Sequence, residues 1–208
     1  MPKIAGFHCE IDRHDGVGQP LVLLHGSGQD ETCWGDIAEK IAPHSPAFRV
    51  RGNIIWEGKF AFFRRKPDRS LDMQDLARSV EEIAFLLTEL HALCGNRKPI
   101  MLGYSNGAIC ATAVMRDFPL ASAGSILLRP VPLPQETVFA LSPSYPVLII
   151  SGETDSRRKP DDGARLADQL NVAETNDVTC HTLNCGHGWD TEGRDVAIAR
   201  QWFAQRFE

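Results

Sequence analysis

The sequence has no excess of basic charge. Its 22 lysines and arginines stand against 27 acidic residues, a formal net charge of -5 at neutral pH. A broad basic surface for nucleic acid is therefore not expected. No apolar run approaches the ~18–20 residues that a membrane-crossing helix needs. Met1 to Asp12 lacks the basic-then-apolar layout of an export signal, so a cytoplasmic, reducing setting is expected. In that setting the 6 cysteines read as free thiols rather than as a disulfide framework. Cys9 and Cys180 fall in apparent strands and Cys110 on an apparent buried helix, where packing is the expected role. Internal repeats and low-complexity linkers are also lacking. No Gly-Lys-Ser/Thr follows Gly103–Gly107, so that stretch is not a phosphate loop. Cys180, His181, Cys185 and His187 fit no common zinc spacing, and neither a metal nor a cofactor is expected.

What is present is ordinary for a globular protein: 43% hydrophobic and 24% charged residues in 208, read as one domain over 1–208. Ile4 to Ile11 alternates, with Phe7, Cys9 and Ile11 on one face, and reads as a strand. Leu21-Val22-Leu23-Leu24 is short and wholly apolar, as a strand buried on both faces would be. The glycine-rich His25-Gly26-Ser27-Gly28-Gln29 follows it. Asp30 then reads as the N-cap of a helix carrying Trp34, Ile37, Ala38 and Ile41. Phe48-Arg49-Val50 is a third strand, and Asn53 to Ser70 reads as a loop. Met73, Leu76, Val80, Ile83, Leu87 and Leu90 recur at helical spacing. Further strands are expected at Ser125–Leu128, Val147–Ile150 and Val178–Leu183, with helices near Gly163–Leu170 and around Val196–Phe203. Strands alternating with helices predict an α/β fold: a mostly parallel sheet of about seven strands, helices on both faces, and no large lid domain. Ligands of such sheets bind beyond the C-terminal ends of the strands.

The chemistry centres on Gly103-Tyr104-Ser105-Asn106-Gly107, between the apolar Pro99–Leu102 and the small-residue run Ala108–Ala113. This is G-x-S-x-G in the strand–turn–helix setting that lifts a serine hydroxyl off a sheet edge. Glycines flank the serine because a Cβ at either position would meet the neighbouring strand or helix. The helix N-terminus favours negative charge there.

A serine hydroxyl needs a base, and a histidine base needs a carboxylate to hold its tautomer. Downstream of Ser105 the histidines are His181 and His187. His181 lies inside an apparent strand; His187 lies between Gly186 and Gly188 after that strand and is the expected base. Asp155 is the favoured acid, with Glu153 in reserve, and Asp161, Asp162 and Asp168 read as solvated. Backbone N–H groups of Asn106 and Ser27 are the expected oxyanion donors. His25 is expected to brace its loop. Trp56, Phe60, Phe62 and Phe63 are candidates for a substrate pocket or for core packing. Arg64-Arg65-Lys66 reads as a solvated face, with one member available to an acidic substrate.

Leu24–Glu31, Gly103–Gly107, Gly152–Asp155 and Gly186–Gly188 together resemble the α/β-hydrolase superfamily. The likeness is greatest to its small carboxylesterase/phospholipase, dienelactone-hydrolase-like branch. It runs from about Leu21 to the C-terminus. It implies a Ser105, Asp155, His187 triad and hydrolysis of carboxylic esters or thioesters through an acyl-enzyme, without a cofactor. Two departures stand out: Asn106-Gly107 where many relatives have Gln-Gly, and serine where dienelactone hydrolases proper have cysteine. The expected partner is a small-molecule ester, with neither nucleic acid nor membrane and with room for a homodimer. The alternatives are an acyl thioesterase and a silent ligand-binding protein on the same fold.

Overall fold

The computed structural model describes residues 3–56, 58–134, 136–172 and 177–208. The chain opens with β1 (Lys3–Ile4), β2 (Phe7–Asp12) and β3 (Leu21–Leu24), then α1 (Ile37–Ile41) and β4 (Ala47–Val50). A small hairpin of β5 (Ile54–Trp56) and β6 (Lys59–Ala61) precedes the long α2 (Met73–Leu93). There follow β7 (Ile100–Tyr104), α3 (Asn106–Asp117), β8 (Gly124–Leu128), β9 (Val147–Gly152), α4 (Asp162–Val172), β10 (Val178–Leu183) and α5 (Arg194–Phe207). Among the described residues no helix is long and apolar enough to cross a membrane.

Among the described residues, eight strands form one sheet in the order β1-β2-β4-β3-β7-β8-β9-β10. From β4 onward the pairs are parallel; β1 with β2 and β2 with β4 are antiparallel. The apolar runs explain the layers. On β3, Val22 and Leu24 pack with Met101, Leu127, Ile149 and residues of α2, α3 and α4. Leu21 and Leu23 face the other way, with Ile100, Leu102, Ile126, Leu148 and residues of α1 and α5. Each such aliphatic side chain taken from water contributes about 1.5–3 kcal/mol, so a strand apolar on both faces is held from both sides.

Several local expectations change. Ile4 to Ile11 is not one strand: Ala5 and Gly6 both take left-handed φ (49° and 84°), and Ile4 pairs with Phe7 across a two-residue turn. The alternation of Phe7 and Cys9 is real, and it conceals the reversal before it. Asp30 caps only the 3-10 turn Glu31–Trp34, because Gly35 at φ 49° breaks the path to α1. Asn53 to Ser70 contains the β5–β6 hairpin. Cys180 is exposed, because β10 is an edge strand. Asp162 is buried, its carboxylate accepting from the Lys159 N–H at 2.9 Å.

Two features hold the C-terminal edge of the sheet in shape. The first is the crowded corner after β7. A Cβ on Gly103 would lie 2.6 Å from Ala108 Cα, and one on Gly107 would lie 1.9 Å from the Leu24 carbonyl oxygen. The second is Arg129, fully buried just past β8. Its guanidinium forms two 2.9 Å bonds to Asp195 in the first turn of α5. It also donates to the carbonyls of Ile150 (3.2 Å), Gly186 (3.3 Å) and Gly188 (3.0 Å). One side chain thus ties β9, α5 and the loop leaving β10. Burial of so large a charge is tolerable only with this full set of acceptors.

Gly107→Ala is expected to lower unfolding free energy by about 1–3 kcal/mol or more in urea titration, because the obstacle is backbone. Gly188→Ala, with nothing within 4 Å of its Cβ, is the control, expected to change stability by less than ~0.5 kcal/mol. Arg129→Met leaves the buried Asp195 carboxylate without its cation and is expected to cost about 3–5 kcal/mol; adding Asp195→Leu to the same chain should recover only part of that loss in the same titration, because the Ile150, Gly186 and Gly188 carbonyls and the Asp190 N–H lose their partners.

Candidate active site

Ser105 sits at the junction of β7 and α3 with φ 53° and ψ -104°, a strained conformation for a residue bearing a Cβ. Hydrogen bonds on both sides hold it. Its N–H donates to the Leu128 carbonyl at 2.9 Å, and its own carbonyl accepts from Ile109 at 3.1 Å. Gly107 donates to the His25 carbonyl at 3.0 Å, pinning α3 against the end of β3. This is the sharp turn that the pentapeptide predicts.

His187 reaches the same point from the loop after β10. Its Nε2 lies 2.9 Å from Ser105 Oγ, and its Nδ1 lies 2.7 Å from Asp155 Oδ2. An ionised carboxylate can only accept, so Nδ1 carries the proton and Nε2 is left to accept from the serine hydroxyl. The loop is fastened as well as placed. Arg129 binds the carbonyls on either side of His187, and the Tyr104 hydroxyl donates to the carbonyl of His187 itself at 2.8 Å. Trp189, two residues on, stacks on Tyr104 and meets Trp34 edge-on. Burial holds the His187 imidazole below the ordinary histidine range, against the opposing pull of Asp155.

Asp155 is buried in the loop after β9, with its other oxygen accepting from the Arg157 N–H at 2.8 Å. Glu153, the reserve acid, is exposed. His181 is likewise exposed on β10. His25 is wholly buried: Nδ1 pairs with the Gly26 carbonyl at 2.7 Å, and Nε2 accepts from the Gly52 N–H at 3.0 Å. Burial pushes its pKa down to about 4, so it stays neutral and braces its loop without charge.

A cavity of about 360 Å³ opens over Ser105, lined by Ser27, Arg65, Arg69, Asn106, Ser156, Arg157 and Arg158. Ser27 and Asn106 therefore border the space that a reacting carbonyl would enter. The Asn106 side chain also reaches away from the cavity. Its oxygen accepts from the Phe62 N–H at 2.9 Å, and its amide donates to the Phe63 carbonyl at 3.0 Å. That couples the corner to the segment before α2.

Trp56, Phe60, Phe62 and Phe63 are candidates for a substrate pocket or for core packing. None of the four is among the described residues lining the cavity. Phe62 and Phe63 belong to the core, at 1% and 0% exposure, and Phe60 lies under the Arg51 guanidinium. Sequence reasoning missed the cationic wall instead. Arg158 Nη2 donates to Ser105 Oγ at 2.9 Å, while its Nε donates to the Arg129 carbonyl at 2.7 Å. Burial lowers Arg158 to about 10, which leaves it charged at neutral pH. A cation on Oγ favours the ionised serine. Its signal was adjacency: Ser156-Arg157-Arg158 directly follows Asp155, so it had to emerge at the same edge. Of the Arg64-Arg65-Lys66 run, Arg65 borders the cavity.

No protein-family model matches the chain. It is 29% identical over 188 residues to "Putative hydrolase MhqD" of Bacillus subtilis (strain 168), covering 89% of this chain and 92% of that protein. Among solved structures it superposes on the Bacillus cereus carboxylesterase with a TM-score of 0.87 at 27% identity, covering 96% of this chain and 94% of that one. A carboxylesterase from Mesorhizobium loti gives a TM-score of 0.85 at 27% identity, over 98% and 97% of the two chains. The strand order and the serine corner agree with these likenesses: the fold is that of the α/β-hydrolase esterases.

Proposed function

We propose that the protein is a serine hydrolase that cleaves carboxylic esters through an acyl-enzyme. The observation that carries this reading is the unbroken series from Asp155 through His187 to Ser105, with contacts of 2.7 and 2.9 Å. The esterase likeness supports the reaction class.

The steps follow from the donors and acceptors. His187 Nε2 removes the proton from Ser105 as Oγ bonds to the ester carbonyl carbon. Asp155 stabilises the imidazolium without taking its proton. The carbonyl oxygen becomes negative and is met by the N–H groups of Ser27 and Asn106; one such donor contributes roughly 3 kcal/mol to the transition state. The C–O bond to the alcohol then breaks, and His187 returns its proton to the leaving oxygen. A water, deprotonated by the same imidazole, attacks the acyl carbon and frees the acid and Ser105.

A fluorophosphonate probe is expected to label the wild type and to leave Ser105→Ala unlabelled. Hydrolysis of an aryl ester should fall by about 10⁴-fold or more in Ser105→Ala and in His187→Ala. An unlabelled wild type would instead favour a ligand-binding protein on this fold. The acid limb of kcat/KM reports His187 in the free enzyme. Because burial lowers that group, half-maximal kcat/KM is expected below pH 6.5, the ordinary histidine value; a pH–rate profile with its midpoint above 6.5 would contradict the assignment.

A further inference from the structure

The protein is acidic overall, at a net charge of -5, yet four of the described residues lining its cavity are arginines: Arg65, Arg69, Arg157 and Arg158. No carboxylate is among the described lining residues. Arg65 and Arg69 come from the segment before α2, Arg157 and Arg158 from the loop after β9, so two separate parts of the chain deliver positive charge to one spot. The Arg158 guanidinium donates to neutral acceptors: the Arg129 carbonyl, the Arg157 carbonyl at 3.0 Å and Ser105 Oγ. Asp155, the acid of the same loop, is committed to His187 and to the Arg157 N–H. An adjoining groove of about 790 Å³ repeats Arg65, Arg157 and Arg158 and adds Lys66, Lys159 and Arg165, against the single acid Asp162 among its described residues.

Arg157 and Arg158 set two positive charges beside Ser105, and an anion bound between them relieves their mutual repulsion. The placement also says where the anion sits. Arg158 Nη2 is 2.9 Å from the oxygen that becomes bonded to the acyl carbon. The guanidinium therefore stays beside the acyl group through both halves of the reaction. A planar fork of donors suits a carboxylate.

We propose that this site selects esters whose acyl part ends in a carboxylate, the half-esters of short dicarboxylic acids, held by Arg158 and Arg157. The inference rests on the reading of Ser105 as nucleophile. The reaction consumes one water: the ester C–O bond breaks, the alcohol leaves with a proton, and the acyl carbon becomes the second carboxylate of a diacid. The basic groove outside also steers such anions toward Ser105.

The test compares kcat/KM for 4-nitrophenyl hydrogen glutarate and 4-nitrophenyl valerate, which differ at the chain end alone. The glutarate is expected to be preferred at least tenfold at low salt, with the ratio falling as ionic strength rises. Arg158→Gln should bring the ratio close to one, and Arg158→Lys should retain part of it. Arg157 is exposed, so Arg157→Gln gives the same readout, a smaller drop in the ratio, should the Arg158 variants not fold. Calorimetric titration of Ser105→Ala with glutarate should show binding that the added Arg158→Gln weakens tenfold or more. Equal or greater preference for valerate, in an enzyme that takes the fluorophosphonate label, overturns the acid selectivity and leaves the hydrolase reading standing. Glutarate bound by Ser105→Ala, with a wild type that cleaves neither ester and takes no label, overturns the hydrolase reading and the substrate class with it.

Discussion

Between the end of β3 and the start of α3 there is no room for a methyl group. Gly107 approaches the Leu24 carbonyl so closely that an added Cβ would overlap it, and Gly103 is pressed as hard against the helix. That contact sets the angle of the corner, and the corner sets the direction of Ser105. Ser105 holds a left-handed φ because the strand bond to Leu128 and the helix bond from Ile109 leave its backbone no alternative. Everything else at the site is arranged around a hydroxyl whose position is decided by packing of backbone on backbone.

Charge is sorted with equal care. Deep in the protein, Arg129 and Asp195 neutralise each other and use the remaining guanidinium donors to hold the loop that carries His187. In the loop after β9 the balance reverses: Asp155 is bound inward, and Arg157 and Arg158 turn to the cavity. The Arg129 carbonyl, in turn, holds Arg158. The brace beneath the imidazole and the cation beside the serine are therefore parts of one network, joined through a single residue at the end of β8.

Some of this was open to reading from residue order, for reasons that particular segments make clear. The run Leu21–Leu24 is apolar at each position, which only a strand covered on two faces requires, and both cores use it. G-x-S-x-G between an apolar and a small-residue run has few other structural meanings. Asp155 and His187 follow strands at their C-terminal ends, where a parallel sheet collects its loops. Other segments misled. Ile4–Ile11 keeps its alternation through a chain reversal, because a two-residue turn leaves the period of two intact. Asp30 looked like the cap of one helix, but the Gly35 conformation splits it. The aromatic cluster at Trp56–Phe63 was apolar enough for a pocket and for a core alike, and burial of Phe62 and Phe63 went to the core.

Residue order by itself determined the alternation of strand and helix, the place of the serine turn, and which histidine and carboxylate could exit beside it. These are local matters: periodicity, glycine at a tight turn, and the rule that parallel strands end on one side. Tertiary structure alone decided that the wall of the cavity is arginine rather than aromatic, and that Arg129 finds Asp195, 66 positions away. Such contacts join segments with no shared periodicity. They are set by how two sheet-edge loops and a helix start pack against one another, which no single stretch of the chain contains.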